Sequence, residues 1–94
     1  MADVRVSHSP SEERYVLTVD GDQAGYIDYL DEIDVRVLTA TVVQAPYAGN
    51  GYAAQLAKYA LDDIRSEGKH ARTVCTYVAD YVAKHPEYAD MTSV

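Results

Sequence analysis

A glycine-rich turn and a single cysteine are the features of this chain best suited to chemistry. Gly49-Asn50-Gly51 stands directly before an amphipathic run. If that run is a helix, its first N–H groups lack intrahelical partners and its dipole presents positive charge, so an anion placed there meets several donors at once. Gly49 and Gly51 carry no Cβ, which lets the anion approach the backbone, and Ala53 keeps the first turn slim. An ordinary turn is the commoner explanation of a lone Gly-x-Gly, because glycine near a helix start is frequent. Cys75 follows a β-rich run and precedes a second helical one. A helix N-terminus there stabilises negative charge and suits a nucleophile; a lone cysteine is more often a small buried hydrophobe. His8, His70 and His85 lie far apart, and none makes a zinc-type spacing with Cys75, so no metal site is expected.

The elements that must position these residues follow from period and punctuation. "DVRVSH" and "RYVLTV" read as strands separated by the turn "SPSEE", and Asp20-Gly21-Asp22 signals a hairpin into "QAGYIDYL". Val35 to Val43 is the longest strand candidate. Strict alternation puts Val35, Val37, Thr39, Thr41 and Val43 on one face, and both faces are largely apolar, so this strand is expected to be central. The period then changes: Ala53, Leu56, Ala57, Ala60, Leu61 and Ile64 form one apolar stripe of a helix from about Gly51 to Glu67, which Gly68 stops. "ARTVC" returns to the sheet as a short strand. "TYVADYVAK" is a second helix, with Thr76 as its expected N-cap and Pro86 just beyond its end. The strand-helix-strand part predicts a right-handed crossover between parallel strands.

Composition bounds the function. Ninety-four residues suit one domain over 1–94, with a tail from about 89 to 94 expected to be mobile. A hydrophobic share of 48% marks a globular chain, and nine Tyr with no Trp or Phe suggest rings at a wet cleft or rim. The formal net charge of −7 argues against a nucleic-acid backbone or an anionic membrane as partner, since both select for basic surface. It tolerates or steers a cationic substrate such as an amine, although solubility alone also explains it. One cysteine permits no internal disulfide, and no signal segment is legible, so the expected location is the cytoplasm. No apolar run approaches the roughly 20 residues that span a bilayer.

From Val35 onward the succession of strand, "GNGYA" loop, amphipathic helix and further strand resembles the acetyl-CoA core of the GCN5-related N-acetyltransferases. In that superfamily the loop after the central strand binds the CoA pyrophosphate, with the fingerprint Arg/Gln-x-x-Gly-x-Gly/Ala. Gly51 and Ala53 match its last two fixed positions, and Ala48 stands where Arg or Gln is usual. A narrower resemblance, to the YjdJ-type minimal N-acetyltransferases, runs over nearly the whole chain. "CTYVADYVAKHPEYADM" is similar to their Cys-x-Tyr/Phe-Val signature with its "HPEY" ending, and "GYIDYL" to the segment before their central strand. Their His-Thr pair falls here on Ala40-Thr41, so the histidine is absent.

The resemblance implies an α+β fold, a mixed and mainly antiparallel sheet with two principal helices packed on it. It implies acetyl-CoA or CoA as cofactor. Thr41, Val42 and Val43 would hold the pantetheine and thioester, with a backbone N–H near Val43 as oxyanion donor. Gly49, Asn50, Gly51, Tyr52, Ala53 and Ala54 would hold the pyrophosphate. Cys75 would line the thioester pocket or accept the acetyl group as a covalent relay. Tyr81 would protonate the CoA sulfur, with Tyr77 one turn earlier as competitor and simple packing as the plain alternative for each. The general base is open; Asp28 and a water relay stand as candidates. The implied activity is acetyl transfer to an unidentified amine, a protein or peptide amine included, because so short a chain has no lid to enclose an acceptor. The alternative is an acyl-CoA-binding module without efficient catalysis, which Ala40 and Ala48 favour. A monomer or weak homodimer is expected.

Overall fold

The computed structural model describes residues 2–92. Five strands form one sheet in the order of the chain: β1 (Val4–Ser9), β2 (Arg14–Val19), β3 (Asp22–Asp31), β4 (Val35–Val43) and β5 (His70–Thr73). The first four are antiparallel neighbours, and β5 lies parallel to β4 after the crossover through helix α1 (Tyr52–Ser66). Helix α2 (Thr76–Lys84) and the short helix α3 (Ala89–Thr92) follow β5. This is the α+β arrangement expected from the change of period after Val43.

Three boundaries differ from the sequence reading. β5 stops at Thr73, so Cys75 is the N-cap of α2 and Thr76 is its first helical residue. The expected tail is helical through Thr92, because Met91 buries its side chain in the core; the remainder of the tail lies outside the described residues. The third difference is in β4. Asp28 pairs with Ala40 but Tyr29 pairs with Leu38, which leaves Thr39 as an extra residue. A bulge of this kind shifts side-chain alternation by one. Strict alternation had grouped Val37 with Thr41 and Val43; instead Arg36, Leu38, Thr41 and Val43 share a face, and Val37, Ala40 and Val42 share the other.

The face carrying Leu38 receives the helices. Tyr15, Leu17, Ile27 and Leu38 from the sheet and Leu56, Ala60, Leu61 and Ile64 from α1 are fully buried in one cluster, joined by Val78 of α2 and Met91 of α3. Each large aliphatic side chain so buried contributes on the order of 2 kcal/mol. Helix α1 ends in a Schellman motif: Gly68 takes φ of 72°, its N–H bonds to Arg65 O at 3.0 Å, and Lys69 N–H bonds to Ile64 O at 3.2 Å. The opposite face, with Arg14, Val16, Tyr26, Asp28, Ala40 and Val42, contributes nothing to that core and stays open.

One buried charge ties α1 to the sheet. Arg36, 3% exposed, donates to Asp31 at 2.7 Å, to Glu67 at 2.8 Å and to the Tyr15 hydroxyl at 2.8 Å, and its guanidinium lies 4.4 Å from the centre of the Tyr29 ring. Tyr15 in turn donates to Asp63 at 2.8 Å. The first residues of β4 and the last turn of α1 are thereby clamped together. That fixes the angle at which the other end of α1 meets the loop after β4.

Candidate functional site

The glycine turn has a backbone reason for its glycines. Gly49 and Gly51 adopt φ of 82° and 76°, in the left-handed region that side chains with Cβ avoid. The Asn50 side-chain amide donates to Tyr47 O at 2.9 Å and Ala48 O at 3.3 Å, fastening the loop from within. Gly51 is the N-cap of α1 and offers no capping side chain. The first helical N–H with an acceptor is that of Gln55, on Gly51 O at 3.2 Å. The N–H groups of Tyr52, Ala53 and Ala54 therefore face outward without a protein acceptor among the described residues. No acidic residue stands in this first turn to neutralise the dipole. The turn is both a conformational necessity and an open set of anion donors.

Beside it the sheet splits. β5 pairs with β4 only from Val35 to Leu38, and the last link is Cys75 N–H to Leu38 O at 2.9 Å. Beyond that point β4 runs on to Val43 with no strand on its outer side among the described residues. The register with β3 decides which backbone groups face the gap. Gln44 N–H bonds to Ala24 O at 2.8 Å, so alternation turns the groups of Val42 toward β3 and those of Thr41 and Val43 toward the gap. The bulge at Thr39 brings the Thr41 side chain to the helix-covered face. There its Oγ1 lies 3.2 Å from Cys75 Sγ, at the apex of the split. Cys75 is 7% exposed, and its carbonyl accepts the first helical bond of α2, from Ala79 N–H at 3.1 Å.

Helix α2 forms the far wall. Tyr77, its second residue, is 38% exposed. Tyr81 is half-buried and stacks on His85, with ring centres 3.9 Å apart at 16°. Burial raises the pKa of both hydroxyls; for Tyr81 the nearby Lys58 opposes that shift. Both rings keep their protons at neutral pH, so each hydroxyl is a hydrogen-bond donor.

A profile of the GCN5-related N-acetyl-transferase family matches residues 14–91. The chain belongs to that family. Among curated relatives, Protein NATD1 of Homo sapiens is 27% identical over 85 residues, covering 88% of this chain and 75% of the relative. Protein NATD1 of Mus musculus is also 27% identical over 85 residues, covering 77% of its own length. Among solved structures, N-acetylglutamate synthase from Neisseria gonorrhoeae, crystallised with coenzyme A and N-acetyl-glutamate, matches 87% of this chain with a TM-score of 0.63 at 19% identity. This chain spans 22% of that protein, so the likeness is one of fold.

In this family member the structure brings Thr41, Val43, the Gly49–Ala54 loop and Cys75 to one split in the sheet, with Tyr77 and Tyr81 on the helix beyond Cys75. Val42 does not face the split; its side chain, 37% exposed, lies on the open face. Ala48, where the superfamily carries Arg or Gln, is exposed and offers no side-chain donor. No helix of the described residues is long and apolar enough to cross a membrane.

Sequence reasoning missed a polar cluster at the other end of α1. His8 Nδ1 lies 3.3 Å from Asp63, and its Nε2 shares a 2.6 Å hydrogen bond with the Tyr29 hydroxyl. His8, Asp63 and Glu67 offer ligand atoms within 4.8 Å of one another, but Arg36 Nη1 already sits 2.8 Å from Glu67 and 3.5 Å from Asp63. A guanidinium occupies the place where a cation would go. Only the pairing of His8 with Tyr15, invisible without the sheet register, assembles the group. A shallow surface groove lined by Val6, Gln55, Lys58, Tyr59 and Asp62 lies on the outer side of α1 and shares no residue with the split.

Proposed function

We propose that this protein is an acetyl-CoA-dependent N-acetyltransferase acting on an amine. The observation that carries the reading is the unpaired edge of β4, with backbone groups of Thr41 and Val43 turned into a gap whose two ends are an uncapped helix N-terminus and a cysteine. The donor set fits the cofactor: outward N–H groups at Tyr52, Ala53 and Ala54 suit a pyrophosphate, and no acidic side chain in that turn opposes it. Family membership and a fold neighbour crystallised with coenzyme A support the same reading. When bound, acetyl-CoA supplies an acetyl group activated as a thioester.

The chain's own residues then divide the work. The Gly49–Ala54 loop holds the pyrophosphate through backbone amides, with Asn50 keeping the loop in shape. Thr41 and Val43 offer strand-like hydrogen bonds along the gap, and the Val43 N–H is placed to stabilise charge developing on the carbonyl oxygen. In transfer the acceptor nitrogen would gain the acetyl group and release one proton, and Tyr81 or Tyr77 would protonate the departing sulfur and be restored by the proton the amine releases. Cys75, beside Thr41, lines the thioester end of the gap. In the relay variant its sulfur takes the acetyl group first and its proton leaves with the CoA thiol. Ala40 and Ala48 favour a second reading, an acyl-CoA-binding module with little turnover. Calorimetric titration with acetyl-CoA and CoA, followed by mass spectrometry of the protein, tests both. Binding with amine acetylation supports the enzyme, and binding without it supports the module. Absence of binding removes both.

A further inference from the structure

We propose that Asp28 anchors the acceptor, and that the acceptor is a primary ammonium on an alkyl chain arriving across the open face of the sheet. The proposal rests on the acetyltransferase reading and adds the side from which the amine comes and the residue that receives it. Two cross-strand rows cross that face and end at the unpaired edge of β4: Arg14, Asp28 and Ala40 in one, and Val16, Tyr26 and Val42 in the next. The second row is an apolar floor, with Tyr26 half-buried and Val42 37% exposed. The first row carries a fixed carboxylate. Arg14 donates from Nε to Asp28 Oδ1 at 2.8 Å while its guanidinium lies 3.9 Å from the centre of the Tyr26 ring. The Thr39 hydroxyl donates to Asp28 O at 3.1 Å, locking the backbone of the pair at the bulge. Oδ2 of Asp28 takes no hydrogen bond from the described residues and its side chain is 35% exposed.

Oδ1 of Asp28 is held by Arg14 on the β2 side of the row, which leaves Oδ2 to bond across the row toward Ala40. Cβ atoms of directly opposed residues in an antiparallel pair lie about 5 Å apart. A carboxylate on Asp28 plus one hydrogen bond of about 2.8 Å therefore reaches over the Ala40 methyl. Ala40 is small enough to leave that space free, and beyond it lies the edge where the Thr41 and Val43 groups face the gap. Arg14 neutralises the local charge, so Asp28 acts by a directed hydrogen bond rather than by long-range attraction; the net charge of −7 supplies the attraction at distance. The other ion pairs on this face lie away from Asp28: Arg72 with Glu32 at 3.1 Å beside the paired part of β4, and Arg5 with Asp3 at 3.1 Å at the outer strand β1. A small polyamine and a lysine side chain share the required chemistry.

Nuclear magnetic resonance on the full 15N-labelled chain tests this. Spermidine and, separately, N-acetyl-lysine methylamide are titrated with and without saturating CoA. The expected result is movement of the Tyr26, Asp28, Ala40 and Val42 amides by at least one of the two amines, and which one responds identifies the source. Asp28→Asn, which can still accept from Arg14, is expected to weaken that binding about tenfold, as loss of a charge-assisted hydrogen bond does. Asp28→Glu is expected to keep most of it, and Ala40→Leu to block it while leaving the CoA-induced shifts of the glycine loop in place. Unmoved amides on this face with both amines, or equal titration of wild type and a folded Asp28→Asn, overturns the proposal. Failure of the glycine-loop amides to respond to CoA overturns the acetyltransferase reading instead, and the titrations without CoA still decide the role of Asp28.

Discussion

Gly25 leaves no room for a methyl group. A Cβ there would stand 2.7 Å from Val42 O and 3.2 Å from Val43 Cγ2, between β3 and the segment of β4 that borders the gap. Gly25→Ala is expected to destabilise the fold by roughly 1–3 kcal/mol through overpacking, seen as a lower melting temperature; an unchanged one contradicts so close an approach of the strands. Gly51 is the opposite case, with nothing within 4 Å of its would-be Cβ and only its φ of 76° to disfavour a side chain. Gly51→Ala and Gly51→Glu therefore share the backbone strain and differ in charge. The alanine variant is expected to bind acetyl-CoA and the glutamate variant to bind it at least tenfold more weakly, since an anion at a helix N-terminus competes with the ligand; equal calorimetric affinities place the pyrophosphate elsewhere. Cys75→Ala removes a small buried group at a cost of about 1 kcal/mol and is expected to preserve CoA binding. CoA is expected to protect Cys75 from a small alkylating reagent, and labelling at the same rate with and without CoA contradicts a cleft thiol.

The element that decides the site is β4, and it was only half legible in sequence. Its length and doubly apolar character suggested a central strand, whereas it is fourth of five and has neighbours on both sides only from Val35 to Leu38; the change of period to 3.6 located α1. The bulge at Thr39 left no trace, because with both faces apolar a one-residue slip in alternation changes neither pattern. Yet that slip puts Thr41 on the side of Cys75. The place of Arg36 was hidden for the same reason: its alternation suits either a surface or a clamp, and only the arrival of Asp31, Glu67 and Tyr15 makes it the latter. Arg36→Met is expected to destabilise by on the order of 2 kcal/mol, below the full value for breaking a buried pair because Asp31 and Glu67 are partly exposed and can rehydrate. Hydrogen bonds from Arg36 hold the pKa values of both carboxylates below their ordinary 3.8 and 4.5. A depressed carboxylate stabilises the fold above its unfolded value and loses that contribution as pH falls through the folded one. Thermal stability should therefore drop as pH falls below about 4, and drop less in Arg36→Met; parallel acid profiles would contradict the clamp.

At the scale of the molecule, one helical layer covers one face of the sheet, and no helix of the described residues packs on the other. A four-residue connection, one short helical turn over Pro10–Glu12 followed by Glu13, joins β1 to β2 and is too short to cross that face. An acceptor can reach the split from that side, while the glycine loop and α2 border the split on the other. Composition foretold an acidic globular chain, and the family resemblance carried by Gly51, Ala53 and Cys75 implied which segments would meet. It could not foretell that the meeting point is a gap, since a gap is made by β5 ending early at Thr73, and only the register with β4 sets that end. Amide shifts of the 15N-labelled protein on adding coenzyme A test the central claim most directly. The expected result is saturable movement of Gly49 through Ala54 together with Thr41, Val43 and Cys75. Absence of binding, or movement confined to the groove of Val6, Gln55, Lys58 and Tyr59 on the outer side of α1, contradicts it.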